Sequence, residues 1–314
     1  MATIKEIRER INSVSDTKKI TNAMYLISST KLRKARQMLS DTEPFFYATR
    51  AMIDRIVTNL PEGTKNIFLE TREEIPEDRK KKGYVVFTDD KGLAGSYNHN
   101  VIRIMDEHLQ SDKGIKKLFV IGEVGRFHFA SRNIDVEQSF LFTSQNPTLH
   151  RARKIAAEII DYYFERRIDE FYIVYTTLRG ATCETRFEKL LPLDFVTDAH
   201  KKALTENQGL IRDEFLMEPS PSAILDSIVP NYITGFIYGA LVESFCSVQN
   251  SRMMAMDTAG KNAEKMLDNL RLRYNRQRQA MITQEITEVV GGAKALKRSK
   301  NGKRAARAAA GKKA

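Results

Sequence analysis

Proline occurs only in the middle part of this sequence. All eight prolines lie between Pro44 and Pro230, so long stretches at both ends contain none. Proline inside a helix removes a backbone hydrogen bond and clashes with the preceding turn, at a cost of roughly 3 kcal/mol. The distribution therefore predicts two long terminal helices on either side of a compact middle domain.

The N-terminal part repeats apolar residues every seven positions. One series begins at Ile4 and Ile11, and a second begins at Ile7 and Val14; both continue through residues 53–60. This spacing is typical of a helix that packs along a partner in a left-handed coiled coil. We expect Pro44 to bend the helix without ending its apolar seam.

The C-terminal part shows the same seven-residue repeat. Its predicted seam includes sulfur-containing and aliphatic residues: Cys246, Met253, Met256, Leu267 and Leu270. Small residues in the frame would let a partner helix approach closely: Gly235, Gly239, Gly260 and Ala263. A soft-metal site needs sulfur atoms that converge on one point, whereas these lie along a line, so the pattern indicates packing.

At 1.5 Å per residue, the two helices would be roughly 80 Å and 100 Å long. Since both return to the same middle domain, an antiparallel pair is the simplest arrangement. The predicted fold class is α-rich α+β, a long antiparallel coiled coil of the N- and C-terminal helices plus a central α/β domain. The predicted domains are a helix at 1–60, the α/β domain at 61–221, a helix at 222–296 and a basic disordered tail at 297–314.

The middle domain alternates short apolar runs with helical patterns. Strands are predicted at 83–87, 116–122, 170–177 and 184–193, with a possible further strand at 135–142. Helices are predicted at 99–110, 123–131 and 148–166. Strands joined by helical crossovers favour a mainly parallel sheet.

The charge is concentrated at the C-terminal end. The formal net charge is +11, but eight Lys or Arg residues and no acidic residue lie in 297–314, so the remainder carries about +3. Two further basic groups lie in the terminal helices, at 18–36 and 271–278. They indicate either a solvated helix face or a surface that faces an acidic protein partner, where charge orients binding.

The sequence contains no recognisable catalytic or metal-binding motif. The glycine loop "DDKGLAGSYN" follows a strand and precedes a helix, as phosphate-binding loops do, but it matches neither GxxxxGK[ST] nor GxGxxG. A structural strand-to-helix turn and a nucleotide-binding loop are both open interpretations. The histidines lack metal spacing, and the two cysteines are far apart. We therefore expect no cofactor, no metal site and no catalytic residue, and no apolar run approaches the ~20 residues that span a bilayer.

Four separated blocks resemble one family, the gamma subunit of the rotary F-type ATP synthase of bacteria. They are "IKEIRERINSVSDTKKITNAMYLISSTKLRKA", "TDDKGLAGSYN", "FLMEPSP" and "NRQRQAMITQEITEVVGGAKAL", in this order between residues 3 and 296. The resemblance implies a non-catalytic central stalk that couples proton flow through a membrane ring to ATP synthesis or hydrolysis in the beta subunits. It also implies a peripheral position on the cytoplasmic face of the plasma membrane.

The resemblance implies partners and contact residues as well. The partners would be the alpha and beta subunits of a hexamer, the epsilon subunit and the membrane c-ring, with no nucleic acid and no membrane span. Residues in positions that resemble beta-subunit contact or coupling positions are Met24, Arg278, Gln279 and Thr283. Residues in positions that resemble contacts to the membrane ring or epsilon are Phe215, Leu216 and Glu218.

Two other classes of function compete with this one. A free-standing coiled-coil scaffold would self-associate through the heptads. A nucleic-acid-binding protein would use the basic tail and bind with a steep dependence on salt. Neither explains the ordered set of blocks.

Overall fold

The computed structural model describes residues 3–58, 64–132, 134–180, 182–193 and 218–310, and in the last range it describes side chains through Lys294 and at Leu296. In these ranges the helices are α1 (Ile4–Thr58), α2 (Tyr97–Ser111), α3 (Glu123–Ala130), α4 (Leu149–Phe164) and α5 (Pro221–Ala310). The strands are β1 (Lys81–Phe87), β2 (Ile115–Ile121), β3 (Glu170–Arg179) and β4 (Thr182–Leu191).

The two long helices are present as predicted. Helix α1 has 55 residues and runs through Pro44, and α5 has 90 residues and runs through Pro230. The chain forms two compact units, and each contains part of both helices. The terminal unit joins the residues up to Ala23 with those from Asp257 onward, and the central unit runs from Met24 to Met256.

In the terminal unit α1 and α5 run antiparallel. Gly260 lies beside Thr21 and Asn22. One turn later in α5, Glu264 accepts a 2.8 Å bond from Lys18, one turn earlier in α1. A Cβ atom at Gly260 would lie 3.2 Å from the Asn22 side-chain oxygen, tighter than ordinary contact. Glycine here therefore permits the close approach that the sequence predicts.

In the central unit the same two helices are also antiparallel. Phe46 stacks on Tyr232 with ring centroids 5.4 Å apart, whereas Leu32, earlier in α1, lines a cavity together with Met253, later in α5. The predicted role of Gly235 and Gly239 in close helix approach is wrong. A Cβ atom at Gly235 would make an ordinary 3.6 Å contact with Phe46, and one at Gly239 would meet nothing within 4 Å. The large aromatic side chains space the helices at this level.

The sheet has the order β2-β1-β3-β4. Strands β2, β1 and β3 are parallel, and β4 pairs with β3 antiparallel. Gly180 in the β3–β4 turn has a φ of +63°, a conformation that glycine adopts without strain. The predicted mainly parallel sheet is therefore confirmed, with one antiparallel edge strand.

Alternate residues of the strands enter two separate apolar cores, because successive side chains of a strand point to opposite faces. Val85, Phe119 and Ile173 belong to a core that also contains residues of α1, α4 and α5. Tyr84 and Val120, on the other face, belong to a second core with α2 and α3. Helices thus cover both faces, as a parallel sheet requires.

The possible strand at 135–142 does not form. Val136 makes a single isolated bridge to Leu118 at the outer edge of β2. The Glu137 carboxylate then accepts bonds from Tyr162 at 2.5 Å and Lys117 at 3.0 Å, and Phe140 is fully buried in the first core. Regular pairing with the edge of β2 is therefore limited to one residue pair.

Helix α5 continues as far as Ala310, although the sequence predicts disorder from residue 297. Alanine, lysine and arginine dominate this segment, and all three have high helix propensity. The four last residues lie outside the described ranges.

Buried ionic groups lie where β1 and β3 begin. Glu170 is only 4% exposed and accepts bonds from Lys80 at 3.2 Å, Lys189 at 3.3 Å and Tyr172 at 2.8 Å. Burial by itself raises the pKa of Glu170, but the Tyr172 hydroxyl and the two ammonium groups outweigh it, so the pKa lies below its usual value. The folded state therefore favours the ionised carboxylate.

We predict that Glu170→Gln lowers the free energy of unfolding at pH 7 by about 3 kcal/mol, because it removes a buried carboxylate that pairs with Lys80 and Lys189. A carboxylate with a lowered folded-state pKa stabilises the protein above its unfolded-state pKa and loses this effect in acid. The difference between variant and wild type should therefore shrink as the pH falls below about 4.

Urea unfolding of the full chain at pH 7 and in acid tests this. Glu107→Gln is the matched control, because Glu107 forms an exposed pair with Arg103 on α2, and we expect a change below about 0.5 kcal/mol. An equal loss of stability in both variants would contradict the prediction.

Candidate functional site: the strand-end loop and the exposed end of α5

Two aspartates, Asp89 and Asp90, hold the loop after β1 in place through hydrogen bonds. Asp89 is fully buried, and its carboxylate accepts bonds from Ser144 at 3.2 Å and from the Gln145 amide at 3.1 Å. Asp90 accepts a bond from the Ser144 backbone at 3.1 Å and another from the Thr143 hydroxyl. The two carboxylates therefore join the end of β1 to the segment before α4.

Helix α5 contributes the cation of this cluster. The Arg252 guanidinium donates to the Asp89 carboxylate and, at 3.5 Å, to the Gly92 carbonyl. Burial raises the pKa of Asp89, while the charge of Arg252 and the hydrogen bonds oppose that rise. Gly95, with a φ of +57°, brings the loop against α5, where a Cβ atom would lie 3.8 Å from Ala255.

These contacts favour the structural interpretation of the glycine loop. Its two aspartates are held by Arg252 and by residues 143–145, and their negative charges would repel a phosphate. Helix α2 begins at Tyr97, and the preceding Ser96 makes no capping bond with its side chain. The loop is therefore a joint between the sheet and α5 that buried Asp89 holds in place, while residues 91–93, 95 and 96 of the loop are exposed.

The predicted seam residues lie in buried or partly buried positions. In the terminal unit Ile4, Ile7, Ile11 and Val14 are partly buried, and Leu267 and Leu270 are buried. In the central unit Cys246 and Met256 are buried, and Met253 packs partly buried against the first core. Burial raises the pKa of the Cys246 thiol to about 12, so it behaves as an apolar packing group.

The end of α5 differs from the paired part of the helix, because no other helix lies beside it among the described residues. Because the two helices are antiparallel, earlier residues of α1 contact later residues of α5. Lys18 contacts Glu264, so continuing both helices places Ile4 near residue 278. Every described side chain from Arg278 onward is exposed. Roughly 30 residues, or about 45 Å of helix, continue beyond this point.

The exposed end carries apolar as well as polar groups. Its exposed apolar residues are Met281, Ile282, Ile286, Val289, Val290 and Leu296. Single exposed apolar residues are ordinary, but a group of this size on one helix marks a surface for another protein. The Thr283 hydroxyl donates to the Gln279 carbonyl at 2.9 Å, while Arg278 and Gln279 have exposed side chains.

Of the other predicted contact residues, Met24 and Glu218 lie in the part of the chain that the structure describes. Met24 is partly buried in the central unit, and Glu218 is exposed before α5. Phe215 and Leu216 lie outside the described residues. The contact roles of all these residues stay predictions.

The basic groups on the helices are mostly on the surface. Lys19 pairs with Asp16 at 2.9 Å, and Arg271 with Asp268 at 3.5 Å. Lys31, Arg33 and Lys34 are exposed. Most of these groups could face either solvent or an acidic partner, so the geometry leaves both interpretations open.

Two features escaped the sequence analysis. The first is the Asp89–Arg252 pair, whose members are separated by most of the chain. The second is Glu243 on α5, whose Oε2 atom is buried without a hydrogen-bond partner. Arg252 and Glu243 are ordinary polar residues of a helical pattern, and Asp89 is an ordinary loop residue, so only tertiary contacts distinguish them.

The described residues include neither a candidate membrane span nor a candidate group of metal ligands. No helix there is long and apolar enough to cross a membrane. The side chains described also form no group of three or more His, Cys, Asp or Glu residues that could hold a metal ion.

Comparison with known proteins gives a consistent result. The family model described as ATP synthase matches residues 3–296. The ATP synthase gamma chain of Acetivibrio thermocellus is 44% identical over 299 residues, which are 95% of this chain and 100% of that protein. The gamma chain of Acetobacterium woodii, named as sodium ion specific, is 38% identical over 93% of this chain and 98% of its own length.

Solved structures share the fold. The rotor of the Euglena gracilis mitochondrial ATP synthase aligns with a TM-score of 0.60 at 16% identity, covering 89% of this chain and 98% of that one. The central stalk and c-ring structure from the Tetrahymena thermophila mitochondrial ATP synthase aligns with a TM-score of 0.56 at 21% identity. The alignment covers 76% of this chain and 99% of that one.

The paired terminal helices and the mixed sheet, together with the family match, define a non-catalytic subunit of the ATP synthase class. Within that class the relatives align over nearly their whole length. The chain belongs to the ATP synthase gamma-chain family.

We predict that Arg252→Ala lowers the free energy of unfolding by about 3 kcal/mol, because it leaves the Asp89 carboxylate buried without its cation. Chemical unfolding of the full chain measures this. Arg271→Ala is the matched control, since it removes only an exposed pair, and we expect a change of at most about 0.5 kcal/mol. A loss below about 1 kcal/mol for Arg252→Ala would mean that the buried pair is not needed to hold the loop.

Proposed function

We propose that this chain is the central rotor shaft of a proton-translocating ATP synthase. It couples proton flow through a membrane c-ring to ATP synthesis or hydrolysis in the catalytic beta subunits, and it performs no catalysis itself. The observation that carries the proposal is the exposed end of α5. A helix whose described side chains from Arg278 onward are all exposed, with many apolar ones, needs a protein surface around it.

The proposal assigns a task to each part of the chain. Residues 1–60 and 222–296 form the shaft, 61–221 form the foot, and 297–314 form a basic tail. The alpha and beta subunits surround the shaft, and the foot binds epsilon and the c-ring. The assembly holds the chain peripherally on the cytoplasmic face of the bacterial plasma membrane.

Contact residues follow from the same proposal. Arg278 and Gln279, with Thr283 one turn later, contact a loop of the beta subunit, and Met24 takes part in coupling. An arginine and an amide that meet an acidic loop would orient the contact through charge and hydrogen bonds. In the foot, Phe215, Leu216 and Glu218 contact the ring or epsilon.

Sodium is the second candidate for the coupling ion. The relative from Acetobacterium woodii is named as sodium ion specific and is 38% identical to this chain. Proton coupling predicts that ATP hydrolysis by the purified complex needs no added Na⁺. A strict Na⁺ requirement would favour the sodium alternative and would leave the shaft role unchanged.

The first test is capture of the complex. With a tag on this chain in its native host and gently solubilised membranes, we expect alpha, beta and epsilon subunits to co-purify with ATPase activity. The isolated chain should have none. Recovery of the chain alone would favour a self-associating scaffold, and recovery of nucleic acid with a steep salt dependence would favour the nucleic-acid-binding alternative.

We predict that the double variant Arg278→Ala, Gln279→Ala lowers ATP hydrolysis of the assembled complex about tenfold, because charged contacts at protein interfaces contribute a few kcal/mol. Steady-state hydrolysis rates at equal complex concentration measure this. Arg273→Ala removes a basic side chain from the exposed surface of α5 and serves as the control, for which we expect a change below about twofold. Equal hydrolysis rates in wild type and the double variant would contradict the proposed contact with the beta subunit.

We also predict that a chain truncated after Leu296 assembles normally and supports the full rate of ATP hydrolysis. The tail is strongly basic, and burying unpaired Lys or Arg side chains inside the surrounding subunits would be costly, so we place it outside the functional contacts. Subunit stoichiometry and hydrolysis rate of the truncated complex measure this. Failure of the truncated chain to assemble would show that the tail is needed.

A further inference from the structure

A small cavity lies between α1, α5 and β3 in the central unit. Its volume is about 80 Å³. Four aromatic side chains line it, Phe46, Tyr47, Tyr175 and Phe236, and two carboxylates do so as well, Glu43 and Glu243. No lysine or arginine is among its lining residues.

The aromatic rings contact one another around this space. The centroids of Phe46 and Tyr47 are 5.8 Å apart, those of Phe46 and Phe236 are 5.7 Å apart, and those of Tyr175 and Phe236 are 5.9 Å apart. The rings meet at different angles, between 55° and 77°. They form a cage rather than a flat stack, and the cage is open to solvent on the side of Tyr47, which is 57% exposed.

The carboxylates give the cage a negative charge. Glu43 already accepts a 3.3 Å bond from the Tyr47 hydroxyl. Glu243, by contrast, has its Oε2 atom buried without any hydrogen-bond partner. A buried carboxylate oxygen without a partner is unfavourable, and a cation in the adjacent space would relieve it.

Glycine makes the space available. A Cβ atom at Gly239 would meet nothing within 4 Å, so this position borders open volume. The sequence predicts close helix approach at Gly239, but the aromatic side chains hold the helices apart and the glycine opens the cage instead.

We propose that this cage binds a small organic ammonium ion. Aromatic faces attract cations through their quadrupole, and cages of aromatic residues with a carboxylate recognise methylated ammonium groups. A metal ion fits less well, because hard cations need several oxygen ligands and most of the wall is apolar. A neutral apolar ligand would leave Glu243 without a partner. The inference does not depend on the proposed role as a rotor shaft.

The charge state of Glu243 makes binding sensitive to pH. Burial raises the pKa of Glu243 to about 7, and Arg186 opposes that rise. Glu243 also lines a neighbouring cavity, together with three arginines, Arg36, Arg179 and Arg186. The other titratable groups that face Glu243 or line either cavity are Glu43 and Tyr47 on α1, Tyr175 on β3, Glu188 on β4 and Cys246 on α5. Because the ionised form binds a cation, affinity should rise with pH through neutrality.

Calorimetric titration of the full chain with tetramethylammonium tests the proposal. We expect a dissociation constant of about 1 mM or lower at pH 8 and about tenfold weaker binding at pH 6. tert-Butanol, a neutral molecule of similar size, should bind at least about tenfold more weakly than tetramethylammonium.

Two variants locate the site. Glu243→Gln should weaken binding at pH 8 about tenfold or more and abolish its pH dependence. Gly239→Val should weaken it similarly by filling the cavity, and valine is no worse than glycine in a helix, so the fold should persist. Glu158→Gln on α4 is the matched control, because burial also raises the pKa of Glu158 and Glu158 does not line the cage.

The proposal is overturned if wild type does not bind tetramethylammonium, or if it binds tert-butanol equally well. Unchanged affinity in both Glu243→Gln and Gly239→Val would place any binding elsewhere and would also overturn it. Binding that is lost in both variants and kept in Glu158→Gln supports it.

Discussion

The pairing of α1 with α5 is the constraint on which the rest of the structure depends. The two helices come from opposite ends of the chain, and in the central unit they share one apolar core with the sheet and α4. Closing so long a loop costs entropy that grows only slowly with its length, so a continuous apolar seam can offset it. Leu32, Ala35 and Cys246 are buried in that core, and the seam is therefore also the base on which the sheet packs.

Buried ionic contacts fix the sheet and its loops within the central unit. Arg252 of α5 meets Asp89 at the end of β1, and Glu170 gathers ammonium groups where β3 begins. Apolar contacts tolerate small displacements, whereas a buried charge is satisfied only at short distance and correct angle. Charged groups at both ends of the strands thus give the packed helices and the sheet one defined arrangement.

The exposed end of α5 has the opposite character. It has helical backbone and apolar side chains, but no described part of the chain packs against it. Helical structure in a protein usually depends on packing of an apolar face rather than on propensity alone. In a member of the gamma-chain family, a surface of this kind is understandable as one completed by other subunits, which is the basis of the proposed function.

The paired long helices and the strand–helix alternation can be predicted from the sequence, because they depend on periodicity and on where proline is absent. Spacing alone predicts Ile4, Ile7, Leu267 and Leu270 as seam residues, and all four are buried or partly buried. Spacing could not show that 135–142 stops after a single bridge at Val136, that Gly239 borders a cavity, or that Arg252 meets Asp89. Each of these depends on which side chains from distant parts of the chain meet, and on whether large rings hold two helices apart. They become visible only in the folded chain, because a residue's neighbours in space leave no periodic pattern among its neighbours along the sequence.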